Sequence, residues 1–77
     1  MVDQIIEMLN EICGADPGEI LPDTALFDEG ILDSFGLVQL IVALEEGFGV
    51  ALDPAVLERS QMATPDAIAA TVQAAKG

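Results

Sequence analysis

The run Ser34 to Phe48, SFGLVQLIVALEEGF, constrains the fold more than any other part of the chain. At 100° per residue, Leu37, Leu40, Ile41, Leu44 and Phe48 share one face, while Phe35, Val38 and Val42 form a neighbouring stripe. Gly47 and Gly49 mark the end of this helix. The run is too short to cross a bilayer, and no other run is longer or more apolar. A helix that is apolar nearly all round is either buried by other elements or binds something. With 77 residues the chain suggests one domain, residues 1–77, with too little mass to bury both stripes completely. The first stripe is therefore assigned to the core, and the second is expected to stay partly exposed as a docking surface.

The partners of this helix are legible on either side of it. Val2, Ile5, Ile6, Leu9 and Ile12 recur at helical spacing, with Asp3, Gln4, Glu7, Asn10 and Glu11 between them. This predicts an amphipathic helix over Val2–Cys13, stopped by Gly14. Residues 14–33 contain Gly14, Pro17, Gly18, Pro22 and Gly30 and cannot form one regular element. The apolar Ile20, Leu21, Leu26, Phe27, Ile31 and Leu32 are expected to pin this long loop to the core. Such loops are often functional. In DPAVLERS, Asp53 followed by Pro54 reads as the start of a short helix. Thr64, Pro65 and Asp66 repeat that device for a last helix with Ile68, Val72 and Ala75 on its inner side. No strand pattern of period two and no internal repeat is present. The expectation is an all-α four-helix bundle with a long first loop and a short third helix.

Charge narrows the function. The formal net charge is −12, from 14 acidic residues and 2 basic ones, Arg59 and Lys76. All but one of the acids lie in Met1–Glu58, a span without Lys or Arg. This argues against nucleic acid and against an anionic membrane surface as partners. It suits proteins with basic patches, reached by electrostatic steering. Cys13 is the only cysteine, so it has no internal disulfide partner and no companions for a zinc site. It reads as a small core residue at a helix end in a reducing, cytoplasmic compartment. No basic stretch followed by an apolar one opens the chain as a signal peptide would.

Ser34 is the residue in want of a role. A serine nucleophile needs a base, and the chain has no histidine. Leu32 stands where a nucleophile elbow needs glycine. Asp28 and Glu29 lack the alternating ligands of a calcium loop and read as solvated acids, leaving no metal site. Local chemistry offers two readings of Ser34 and by itself favours the first. It is an N-cap that opens the helix, or it is a modification site whose added phosphate would meet the positive helix end.

The stretch LDSFGLVQLIVALEEGFGV resembles the core motif of acyl and peptidyl carrier proteins, and the similarity extends over nearly the whole chain. The resemblance implies the acyl-carrier form of the helical bundle. It implies that Ser34 carries covalent 4′-phosphopantetheine, installed from coenzyme A by a separate magnesium-dependent phosphopantetheinyl transferase. The arm would hold an acyl or aminoacyl group as a thioester, and the chain itself would not be an enzyme. Asp33 matches the acid before the serine. Phe35, Val38, Val42, Glu45 and Glu46 match positions that meet partners. FDEGILDSFG and ERSQMATPDAI further resemble the D-alanyl carrier proteins, which serve D-alanylation of teichoic acid in the cell wall. Arg59 stands at that subgroup's basic position, whereas Leu37, Gln39 and Met62 depart from its common residues.

The subgroup resemblance implies a D-alanine-activating adenylating ligase and a downstream acyltransferase, membrane-bound or not, as further partners of a monomeric carrier. A stand-alone carrier for fatty-acid, polyketide or amino-acid-loading pathways is the alternative. An unmodified interaction bundle stands behind that. For Arg59, a plain surface charge or a helical-spacing pair with a nearby acid competes evenly with a partner contact.

Overall fold

The computed structural model describes residues 1–53 and 57–76. Three α-helices are present among them: α1 (Val2–Cys13), α2 (Ser34–Phe48) and α3 (Pro65–Lys76). A single 3-10 turn, Arg59–Met62, precedes α3, and no described residue is in a strand. The expected all-helical class is present, but a fourth α-helix is not among the described residues. The short helix read from DPAVLERS falls partly outside them. Its described end departs from helix at Glu58, whose backbone is extended at φ −87° and ψ 152°. There the Glu58 amide donates to Gln61 Oε1 at 2.7 Å, and Glu58 caps the 3-10 turn instead of closing an α-helix.

α1 packs against both α2 and α3, and the 3-10 turn packs against α3. The buried side chains form one cluster: Ile5 and Leu9 from α1, Leu40, Ile41 and Leu44 from α2, Ile68, Ala69 and Val72 from α3, and Met62 from the 3-10 turn. α1 ends where Gly14 turns left-handed at φ 68° and its amide donates to the Asn10 carbonyl. α3 starts with the Ala67 amide donating to Thr64 Oγ1 at 3.0 Å, with Pro65 placed where no amide hydrogen is needed. Its inner row is Pro65, Ile68, Ala69 and Val72, while Ala75 is exposed. The buried row therefore follows the i, i+3, i+4 pattern from Pro65 and gives out before the last turn.

The long loop is held at both ends of its course. Ile20, Leu26 and Leu32 are buried, and Phe27 and Ile31 are half-buried against the same core. The Leu26 amide donates to the Ala63 carbonyl at 2.8 Å, and the Asp66 amide donates to the Pro22 carbonyl at 3.0 Å. These two bonds fasten the loop to the start of α3. Leu21 departs from expectation and is 54% exposed. Its amide is turned to Thr24 Oγ1 at 2.8 Å, and the Thr24 amide returns a bond to the Leu21 carbonyl. Leu21 thus opens a turn, with Ile20 before it facing inward.

Candidate functional site

The N-terminus of α2 is built by Asp33. Its backbone is extended, at φ −116° and ψ −178°, and its Oδ1 accepts from the Gly36 amide at 2.8 Å. Asp33 is therefore the N-cap and Ser34 the first helical residue. The cap expected of Ser34 belongs to its neighbour, because the chain enters the helix one residue earlier than the serine reading supposed. Gly36 makes this close fit possible. A Cβ there would lie 3.3 Å from Asp33 Oδ1 and 3.2 Å from Leu32 Cδ1.

This displacement matters chemically. Ser34 is exposed, and among the described residues nothing hydrogen-bonds its hydroxyl. The hydroxyl is released from the structural task that a cap serine would have. The amides of Ser34 and Phe35 are in the first turn, where no preceding helical carbonyl reaches them.

A groove of about 250 Å³ opens beside Ser34, lined by Leu37, Ile41, Leu57, Glu58, Arg59 and Met62. Its walls are α2 on one side and the segment leading into the 3-10 turn on the other. Arg59 also reaches a second cavity of about 360 Å³ with Ala25, Phe27, Asp28, Ser60 and Ala63. Its guanidinium carbon sits 4.4 Å from the centre of the Phe27 ring. Arg59 is itself exposed, a surface charge that rests on this ring.

The remaining sequence-selected residues divide into two groups. Phe35, Val38 and Val42 are 74%, 56% and 48% exposed, and they project from the same α2 surface as Ser34. Glu46 is exposed as well. Glu45 is half-buried, and its Oε2 accepts from the Leu52 amide at 3.1 Å, tying the chain after α2 back onto the helix. Glu45 thus has an internal structural role that spacing alone did not reveal.

On the other side of the α2 start, Cys13 lines a cavity with Ile12, Ile31, Asp33, Phe35, Gly36 and Gln39. Burial pushes the Cys13 thiol above its usual pKa, and the charge of Asp33 adds to that. Cys13 is therefore a protonated, half-buried thiol. Among the described residues no group of His, Cys, Asp and Glu is arranged to hold a metal ion. No described helix is long and apolar enough to cross a membrane.

Sequence reasoning missed the groove floor formed by Leu57 and Met62 and the Phe27 platform under Arg59. Periodicity carries no signal for contacts between a loop and a turn 32 residues apart.

A protein-family profile described as "Phosphopantetheine attachment site" matches residues 3–72. The chain is 38% identical over 65 residues to the D-alanyl carrier protein of Bacillus velezensis, which covers 84% of this chain and 83% of that one. It is 41% identical over 73 residues to the D-alanyl carrier protein of Lactococcus lactis subsp. cremoris, covering 95% and 92% respectively. The D-alanyl carrier protein of Bacillus subtilis is 35% identical over 65 residues, covering 84% of this chain and 83% of its own.

Proposed function

The chain belongs to the phosphopantetheine attachment family, and from that premise we propose that residues 1–77 act as one carrier domain for D-alanine in teichoic acid D-alanylation. The observation that carries the reading is the state of Ser34: an exposed hydroxyl with no hydrogen bond among the described residues, at the first position of a helix whose cap is the neighbouring Asp33. 4′-Phosphopantetheine attached to Ser34 would supply a flexible arm ending in a thiol, able to hold an acyl group as a thioester.

The residues present suit such a group. Ser34 offers an oxygen nucleophile that a transferase can approach from solvent. Asp33 holds the first turn of α2 in place around it through the Gly36 amide. The positive end of α2 favours a phosphate there, although Asp33 already uses part of that field. With no histidine in the chain, the base that activates Ser34 comes from the transferase. The chain itself serves as a carrier without catalytic residues.

Phe35, Val38 and Val42, with Glu46 beside them, form the surface offered to partners. An apolar stripe on a strongly acidic body suits enzymes that present an apolar patch rimmed by basic residues. The acids steer the encounter and the stripe supplies contact area. The partners are a phosphopantetheinyl transferase, a D-alanine-activating adenylating ligase and a downstream acyltransferase. Glu45 serves the surface by holding the chain after α2 in place, and Arg59, which lines the groove beside Ser34, is a further partner contact. The location proposed is the cytoplasm, with which a lone cysteine that has no disulfide partner in the chain is consistent.

Loading tests the cargo. Primed protein incubated with ATP and a D-alanine-activating ligase should gain one D-alanyl group, released by hydroxylamine as a thioester would be. Preferential loading with fatty acyl or malonyl groups by their own ligases and transferases would overturn the D-alanine assignment while leaving the carrier reading intact.

A further inference from the structure

Arg59 occupies an unusual place for a cation in this chain. It is the sole arginine, Met1–Glu58 contains no Lys or Arg, and yet it lines the groove beside Ser34. It does not stand loose there. The Phe27 ring lies 4.4 Å from its guanidinium carbon, and Phe27 is itself half-buried against the core and fixed by the long loop. A ring placed against the face of a guanidinium leaves the N–H groups in its plane available to acceptors. The ring holds the guanidinium on the side of the adjoining cavity, and Arg59 lines both that cavity and the groove that contains Ser34.

The N-terminus of α2 needs such a donor once Ser34 is modified. Asp33 places a carboxylate at the helix start and takes the Gly36 amide. A phosphodiester on Ser34 Oγ would put a second anion beside that carboxylate. The available first-turn amides offset only part of the repulsion. Of the two basic residues, Arg59 is the one that lines this groove. Two carboxylates compete for it, Glu58 in the Ser34 groove and Asp28 in the adjoining cavity. A phosphodiester matches the guanidinium fork with its two free oxygens as a carboxylate does, and covalent attachment to Ser34 keeps it at the groove that Arg59 lines.

We propose that Arg59, held by the Phe27 ring, is the binding group for the phosphodiester that joins the arm to Ser34, and so anchors the first linkage of the arm at the groove. The proposal rests on Ser34 being the attachment site. It gives the long loop a function: through Phe27 the loop positions the cation that receives the modified serine. Arg59 is a positioning residue and leaves the thiol chemistry at the far end of the arm untouched.

The sequence makes the test clean. One arginine gives one side-chain Nε–Hε resonance, and the primed protein contains one phosphorus. Apo and primed protein, labelled with nitrogen-15 arginine, are compared by NMR for wild type, Arg59→Gln and Phe27→Leu. Priming is verified in each by intact mass. Priming of wild type should shift the Arg59 Nε–Hε resonance and slow its exchange with water. The phosphorus resonance should move in Arg59→Gln and move part of the way in Phe27→Leu, which removes the platform and keeps the charge. Priming should lower the melting temperature of Arg59→Gln by about 1–8 °C more than that of wild type, the range set by an exposed ion pair in a chain of this size.

An Arg59 resonance indifferent to priming, together with one phosphorus shift shared by wild type and Arg59→Gln, would overturn the proposal and leave the carrier reading standing. Failure of wild type to be primed beside an active control carrier would overturn both. Arg59→Gln alters a surface residue, so its folding is checked by the apo melting temperature against which the primed value is compared.

Discussion

Removing the Asp33 carboxylate tests the local architecture on which the site depends. The structure gives the cap to Asp33, through a 2.8 Å bond from the Gly36 amide, and none to Ser34. Replacing an N-cap Asp by Ala costs about 0.5–2 kcal/mol, typically about 1. The charge also interacts with the helix end, for about 0.3–1 kcal/mol where it is exposed as here. One term runs the other way, because the chain carries a net charge of −12 and losing an acid relieves self-repulsion. Asp33→Asn separates these effects, since Asn retains the accepting oxygen and lacks the charge.

The expected order in urea unfolding is therefore wild type near Asp33→Asn, with Asp33→Ala lower than Asp33→Asn by about 1 kcal/mol. For a domain of this size that corresponds to about 4–8 °C in melting temperature. Ser34→Ala should stay within about 0.5 kcal/mol of wild type, because an exposed side chain with no internal bond is lost. A Ser34→Ala loss equal to that of Asp33→Ala would refute the reasoning. Ser34 would then be the cap, and its hydroxyl would not be free for modification.

Truncation should separate the two faces of α2. Leu40→Ala, at a fully buried position, should destabilise by about 2–5 kcal/mol in chemical unfolding, whereas Phe35→Ala and Val38→Ala should each cost less than about 1 kcal/mol. The same two surface variants should slow loading by the ligase several-fold, measured as the initial rate of D-alanyl transfer. Cys13 sets a pH dependence: its folded pKa lies above the usual thiol value of 9.0, through burial and then Asp33. Its contribution is fully present below pH 9.0 and is lost as pH rises through the folded value, since the native state then holds the proton more tightly than the unfolded chain. Unfolding free energy should fall across that alkaline window in wild type and fall less in Cys13→Ala. Raising salt from about 10 mM to 150 mM shortens the screening length from about 30 Å to 8 Å, so the urea midpoint of this acidic chain should rise.

The three α-helices were legible because each carries apolar residues at helical spacing and a signal at one end. Gly14 ends α1 in the left-handed region, and Thr64-Pro65 opens α3 as their chemistry suggests. The cap of α2 was not legible to the residue. Asp33 and Ser34 are adjacent and both cap well, and only the extended backbone at Asp33 together with the small Gly36 separates them. The exposed stripe was visible in the mismatch between apolar content and chain length, and Phe35, Val38 and Val42 lie in the open. Glu45 read as a surface acid because nothing in its neighbours announces a bond to Leu52, seven residues away. The Arg59–Phe27 contact was invisible for a related reason: it joins a loop to a turn, and neither has a period. The stretch 53–60 read as a short helix from its cap and proline, and at its described end Glu58 is extended and caps a 3-10 turn, which those two signals do not announce.

The most direct test of the whole account is the mass of the chain after incubation with coenzyme A, magnesium and a broad-specificity phosphopantetheinyl transferase. Wild type should gain one phosphopantetheine, and fragmentation should place it on Ser34, while Ser34→Ala of unchanged stability gains none. An unmodified wild type beside a fully primed control carrier, or a Ser34→Ala variant that is primed as readily as wild type, would contradict the account.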